Sequence, residues 1–270
     1  MDFLSKIFQS IYSPSFYKSL RKQSLSQAIK YFVLLCLVLS ALFSVALIIP
    51  FINELKAFFY SVKTEYPQNL EVQVNKGIVK TNVKEPYTIA LPGQSEELKN
   101  LAVIDTKTPF SLDKFDKYGA YIWVTKDSLF VRQHPGDVRA VSLKEVDNFK
   151  VNKSVVSNLV DKVSSFMPLI GLVAFVFILI VWYILTLFNF VKVFLVALVI
   201  WLLSKMMPER LTYKQSYAIG LYTITAGLLL STLLLLIAPT LRLPFSMTLL
   251  AMIIFILNFK SDFKKKKKKK

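Results

Sequence analysis

The sequence has one cysteine, Cys36, and one histidine, His134. A lone thiol forms no disulfide within the chain, and one thiol with one imidazole cannot supply the three or four ligands of a zinc site. Glycine is scarce, at seven residues. None stand in the GxGxxG or GxxxxGKS/T spacings that cradle nucleotide phosphates, so a nucleotide-driven motor is not expected. Acidic residues are few outside one interval: of 17 Asp and Glu, 14 fall between residues 53 and 165. That interval also holds 16 of the 34 Lys and Arg, so it is nearly neutral, and the net charge of +17 belongs almost entirely to the rest of the chain.

What is abundant is apolar sequence, 54% of the residues. Five stretches stand out, 31–52, 166–187, 188–204, 216–238 and 244–259. Bilayer hydrocarbon is about 30 Å thick and needs about 20 apolar helical residues to span it. The second and third stretches form one run interrupted only by Asn189 and Lys192. As a single straight helix it would be about twice the bilayer core, so it is expected to hold two elements. The stretch 31–52 reads as a retained anchor, because its apolar run is too long and starts too late for a cleaved leader. Cys36 within it serves as a small apolar residue. The basic excess flanks these stretches, which is the placement of topogenic charge and of attraction to anionic lipid; no base-stacking aromatic module accompanies it, so nucleic acid is not expected as a partner.

Residues 3–12 put Phe3, Leu4, Ile7, Phe8, Ile11 and Tyr12 on one helical face, ahead of a Ser13-Pro14 break. Two readings fit: a helix lying in the membrane interface, or one packed on the protein's own bundle. Lys18, Arg21, Lys22 and Lys30 precede the first apolar stretch and point to a cytoplasmic N-terminal segment.

The interval 53–165 reads as mainly β. Residues 70–74 alternate, Asn75-Lys76-Gly77 supplies a turn, and 78–81 returns as a hairpin. Residues 87–91, 101–105 and 138–142 are further strand candidates, and 121–125 with 128–133 flank a second turn at Lys126-Asp127. From about Asn152 the pattern turns helical, with Val155, Leu159, Val163 and Phe166 near one face.

Candidate chemistry is thin. His134 lies in the turn-forming His134-Pro135-Gly136-Asp137 and has no second histidine to work with. Asp105, Asp113 and Asp116 lie near apolar segments; their spacing matches neither an EF-hand nor an acid–base motif, and turn-capping is the expected use. Lys192 either lines an intramembrane path or sits at a turn with its ammonium at the interface. Ser216, Gly220, Thr223, Gly227 and Ser231 advance by helical spacing and make a small-residue stripe, which lets a second helix approach closely. No catalytic, cofactor or metal residues are assigned. The closing run Lys264, Lys265, Lys266, Lys267, Lys268, Lys269 and Lys270 is expected inside, facing anionic lipid.

The strings "IYSPSFYKSLRKQS", "VKEPYTIALP", "NLAVIDT", "VTKDSLFV" and "LTYKQSYAIGLYTITAG" occur in an order and spacing that resembles the bacterial membrane-protein family of unknown function 1189 over essentially the whole chain. "YKQSYAIG" with the apolar stretch after it also resembles Yip1-like membrane domains, which implies membrane organisation. The first resemblance implies no catalytic residues and, through members labelled as maltodextrin-utilisation proteins, a loose link to carbohydrate uptake.

The expected architecture is a membrane α-helical bundle of four to five apolar segments with an inserted extracytoplasmic β-rich, α+β domain. Its parts are a cytoplasmic amphipathic segment (1–30), a first transmembrane helix (31–52), the β-rich domain (53–165), a helical membrane bundle (166–259) and a basic cytoplasmic tail (260–270). The expected function is that of a non-enzymatic sensor, scaffold or accessory protein with no cofactor. Its partners would be the bilayer, anionic lipid, and a membrane protein or second copy. A transport component and a membrane enzyme are the alternatives.

Overall fold

A computed structural model describes residues 2–90, 99–134, 136–238, 240 and 246–262. In chain order the first elements are α1 (Phe3–Ile11), α2 (Pro14–Leu20), α3 (Leu25–Glu65), β1 (Val72–Asn75), β2 (Ile78–Thr81), β3 (Tyr87–Ala90) and β4 (Asn100–Ile104). Then come α4 (Leu112–Tyr118), β5 (Ala120–Val124), β6 (Ser128–His134), β7 (Asp137–Ser142), β8 (Phe149–Val151) and α5 (Lys153–Ser165). The last are α6 (Met167–Leu187), α7 (Asn189–Ser204), α8 (Tyr213–Thr223), α9 (Thr225–Ile237) and α10 (Ser246–Asn258). They form two compact units, Met1–Ile49 with Leu172–Lys270, and Pro50–Gly171.

The first unit is helical. Asp2 caps α1, its carboxylate accepting the Phe3 N–H at 2.7 Å. Ser13 caps α2, and Pro14 takes the first helical turn, where a missing N–H costs nothing. The Ser13-Pro14 break thus starts a second helix. α3 begins before Tyr31 and continues beyond Ile52 to Glu65 with Pro50 inside it. The apolar run 166–204 does divide in two, at Phe188, and 213–237 bends at Ile224 into α8 and α9. Among the described residues, three stretches are helical, long and apolar enough to cross a membrane: Leu25–Glu65, Met167–Ser204 and Tyr213–Ile237; Met247–Asn258 is a shorter apolar helix.

The core of this unit joins Phe32, Leu35 and Leu39 of α3 to Val193, Val196 and Ile200 of α7, Tyr222 of α8 and Phe255 of α10. α6 adds the partly buried Tyr183 and Leu187. Leu172, Phe177 and Ile184 are exposed, and only 6% of the most apolar window of 167–204 is buried. A helix that is apolar all round and yet unburied suits lipid rather than water.

α1 settles between its two expected readings. Phe3 and Ile7 pack on the core and Ser10 is buried, whereas Leu4, Phe8, Ile11 and Tyr12 are exposed. One stripe docks the helix and the neighbouring apolar stripe is left outward.

The second unit is α+β. Its three-stranded antiparallel sheet has the order β2-β1-β8, and its five-stranded sheet the order β3-β4-β5-β6-β7. β1 and β2 close over Lys76-Gly77, both at positive φ, the backbone that a tight right-twisted hairpin demands. At Gly77 a Cβ would come 2.5 Å from Lys144 Cα, so close approach reinforces the need for glycine. β4 and β5 are parallel, which a tight turn cannot connect; the crossover carries α4, capped by Ser111 and ended by Gly119 in the left-handed region. Their core is Val103, Phe115, Ala120 and Trp123. A second core joins Tyr66, Leu70 and Ile104, with Val156 of α5 against it. The strand expectations recover seven of the eight strands, residue 91 lying outside the described residues; β8 and α4 are additions. α5 buries Val160, while Val155, Leu159 and Phe166 on the expected apolar face are exposed.

Candidate functional site

One end of the helical unit is organised around Arg21, the C-cap of α2. Its guanidinium binds Glu209, binds Asp262 at 2.6 Å, and lies 5.1 Å from the centre of the Phe259 ring. Its carbonyl accepts the Gln215 amide N–H at 3.0 Å. Gln215 is also half of a capping box with Thr212 at the start of α8. Beside this, the Ser13 N–H donates to Asn258 Oδ1 at 2.7 Å. Arg21 therefore ties three places at one end: the turn before α3, the turn before α8, and the end of α10. The two carboxylates face one guanidinium whose side chain is 16% exposed; Asp262 is similarly enclosed and Glu209 is in solvent.

Within the helices, aromatic hydroxyls are matched to polar partners. Tyr31 stacks on Tyr222, with ring centres 4.4 Å apart, and shares a hydrogen bond with Thr225 at 3.0 Å. Gln23 donates to the Tyr222 hydroxyl at 2.8 Å, and Tyr17 donates to the Ser10 carbonyl at 2.6 Å. These pairings satisfy polar atoms that an apolar interior would otherwise penalise.

The small-residue stripe lies on two neighbours. A Cβ at Gly220 would meet Val193 Cγ1 at 3.2 Å on α7, and one at Gly227 would meet Met247 Cα at 2.9 Å on α10. Ser216 and Thr223 are buried and donate to carbonyls of Thr212 and Gly220; Ser231 is half-buried and donates to Leu228. Lys192 is exposed on α7, and Cys36 is buried. The lysines 264–270 lie outside the described residues.

Among the described residues of the sheet unit, Asp105 is the most enclosed carboxylate, 3% exposed. Burial pushes its pKa up, but hydrogen bonds from Thr108, the Tyr118 hydroxyl and the Thr108 and Lys107 N–H groups outweigh burial and hold the carboxyl below its usual range. The Tyr118 hydroxyl, 2.9 Å away, is pushed upward by burial and by that carboxylate. The Asp105 carbonyl accepts the Trp123 indole N–H at 3.3 Å. Every donor points at Asp105 from its own turn or its own core, so the residue locks the crossover after β4. Asp116 pairs with Arg132 at 2.7 Å, and Arg132 lies over Phe115; Asp113 sits in the first turn of α4. His134 is exposed at the end of β6 opposite Asp137. Among the described residues no three His, Cys, Asp or Glu approach closely enough to hold a metal ion. A cleft of about 600 Å³ between the end of α3 and α5 is lined by Lys56, Lys63, Lys153 and Asp161. Its cations are largely taken: Lys63 binds Asp161 at 2.5 Å, and Lys153 donates to the Thr64 and Tyr66 carbonyls.

Sequence reasoning singled out Arg21 only as one of a basic cluster. The signal that would have found it is acid scarcity: outside 53–165 the only carboxyl side chains are Asp2, Glu209 and Asp262, and two of the three hold Arg21.

Fold and site thus define a class: a chain of long apolar helices tied at one end by a half-buried arginine, with an α+β domain of two sheets inserted. It belongs to the family described as Protein of unknown function (DUF1189), which matches residues 4–261. No curated protein and no solved structure matches the chain.

Proposed function

We propose that the chain is a multi-pass bacterial membrane protein that crosses the bilayer four times and carries its α+β domain outside the cytoplasm as a non-enzymatic binding or scaffolding element. The observation that carries this is the Arg21 tie. The starts of α3 and α8 and the end of α10 share one end of the helical unit. If α3 leads outward, α8–α9 also leads outward and α10 returns, so α6 is the inward crossing. α7 then stays near that inner end. Phe190 at its start packs on Phe32, within two turns of the beginning of α3, and Ser204 at its finish accepts the Leu211 N–H. Lys18, Arg21, Lys22, Lys205, Arg210, Lys214 and Lys260 fall on the same side, in agreement with the positive-inside bias.

The non-enzymatic part is supported by the carboxylates of the sheet unit. Asp105 is saturated by donors from its own fold, Glu85 accepts both the N–H and the hydroxyl of Thr106, and Glu71 is held by Lys150. They act as struts.

The topology is tested by thiol labelling in intact cells. In a Cys36→Ala background, single cysteines replace Ser19 or Asp127, or follow Lys270. An impermeant reagent should label only position 127. Labelling at 19 inverts the arrangement, and labelling after 270 replaces four crossings by five.

A further inference from the structure

Beside the Arg21 tie, the helical unit has an open cleft of about 870 Å³. Lys30 and Lys214 supply its charge beside Arg21, which Glu209 and Asp262 already hold, and no carboxylate among the described residues lines it. The unit has only three carboxyl side chains: Asp2 caps α1, and Glu209 and Asp262 both bind Arg21. Lys30 and Lys214 are exposed and have no carboxylate partner among the described residues. Both ammonium groups are therefore open to an anion from outside the unit. The cleft between α3 and α5 is different, because two of its three cations, Lys63 and Lys153, already have internal partners.

The rest of the lining suits one anion chemistry. Two helices begin at this cleft, α3 after Ser24 and α8 after Thr212. Their first turns present the positive ends of the peptide dipoles, with Ser24 and Thr212 capping the Gln27 and Gln215 N–H groups. Ser24 and Ser26 add hydroxyls. Leu25 and Ile29 give the cleft an apolar wall where they pack on the bundle core. Point charges, dipole ends and hydroxyls fit phosphate oxygens; the apolar wall beside them fits the glycerol and first methylenes of a lipid.

We propose that this cleft binds the phosphate group of an anionic ligand, supplied by a phospholipid headgroup. The choice of lipid over a free phosphate ester rests on the membrane reading above; the phosphate chemistry does not.

The test uses the full-length protein in neutral detergent, with lysines 264–270 replaced by Gln so that the tail adds no attraction. The probes are dioctanoyl phosphatidylglycerol, dioctanoyl phosphatidylcholine, glycerol phosphate and inorganic phosphate. Binding is read by native mass spectrometry and isothermal titration. One phosphatidylglycerol should bind per chain and bind more weakly, by about tenfold or more, in Lys30→Ala/Lys214→Ala. Lys30→Arg/Lys214→Arg should restore it, and phosphatidylcholine, whose choline offsets the charge, should bind poorly. Unchanged affinity in the alanine pair with wild-type circular dichroism overturns the site, as does equal binding of the two lipids or no binding by any phosphate. Glycerol phosphate binding as tightly as phosphatidylglycerol overturns the lipid source and assigns a soluble phosphate ester. Because the assay needs no bilayer, its failure leaves the four-crossing topology standing, and failed thiol labelling leaves the cleft standing.

Discussion

Two glycines of the small-residue stripe should respond unequally to the same substitution. A methyl group at Gly227 would sit 2.9 Å from Met247 Cα and 3.1 Å from its Cβ. Backbone cannot swing aside, so α10 has to move away. A methyl at Gly220 meets only a side-chain methyl, Val193 Cγ1, at 3.2 Å, with its other neighbours at 3.8 Å. In each case alanine gains about 1 kcal/mol of helix propensity over glycine. Overpacking in a tight contact costs about 1–3 kcal/mol. At Gly220 the two effects nearly cancel, and Gly220→Ala should lie within about 1 kcal/mol of wild type. At Gly227 the strain wins, and Gly227→Ala should lose about 1–2 kcal/mol. For a chain of this size that is about 2–8 °C of melting temperature. Thermal unfolding in a single detergent checks it. Gly227→Ala melting at or above wild type, or below-wild-type melting confined to Gly220→Ala, refutes the reasoning. A further arm isolates the backbone contact: Met247→Ala in the Gly227→Ala background leaves the Cα in place and should rescue only partly.

In the sheet unit, Asp105→Asn puts an amide donor among donors and should destabilise the domain by about 2–4 kcal/mol, read by denaturant melts followed at Trp123. Because the folded pKa of Asp105 is depressed, its contribution is complete above the ordinary aspartate value of about 4 and fades as pH falls through the lower folded value. The Asn variant should therefore lose this acid dependence, and a retained one would assign it elsewhere. At the helical end, Arg21→Ala strands the enclosed Asp262 and should cost about 3 kcal/mol or more, while Glu209→Ala removes a solvent-exposed partner worth about 0–1 kcal/mol; equal melting of the two variants would refute the distinction. His134→Ala should complement a deletion strain fully, and failure at normal expression would bring catalysis back into consideration.

Periodicity made much of the fold legible. Alternation marked the strands at 70–74 and 87–91 because half-buried strands repeat every two residues, a continuous apolar run marked 101–105, and the Lys76-Gly77 and Lys126-Asp127 turns announced two hairpins. β8 escaped because three residues, two of them exposed, carry no repeat. α4 escaped because its single buried residue, Phe115, gives no stripe, although Ser111 and Gly119 mark its ends. The expected span 31–52 lies within α3, and hydrophobicity gives no sign of the continuation, in which the helix runs on through a mixed polar stretch to Glu65. The pairing of Arg21 with Glu209 and Asp262 was beyond any local pattern, since it joins residues from the two ends of the sequence. Composition alone pointed toward it, because a unit with so few carboxylates must place each one deliberately.

The proposed crossing by α10 has to meet an objection from length. Thirteen residues rise about 20 Å, against about 30 Å of hydrocarbon. An isolated helix of that length would leave its terminal carbonyls and N–H groups in lipid, which is prohibitive. α10 is not isolated. Ala251, Ile254 and Phe255 are buried, and the helix packs on α7, α8 and α9. Its C-terminal end is received by polar partners: Asn258 accepts the Ser13 N–H and donates to the Ile254 carbonyl, and Asp262 reaches Arg21. Short or irregular backbone is tolerated at membrane depth where protein rather than lipid surrounds it. On this reading the Arg21 tie does more than mark a side. It gives the C-terminal end of a short helix a polar seat at the charged end of the helical unit. Arg21→Ala should therefore raise protease accessibility near Asn258 before it affects α6, and loosening that starts at α6 would count against the seat.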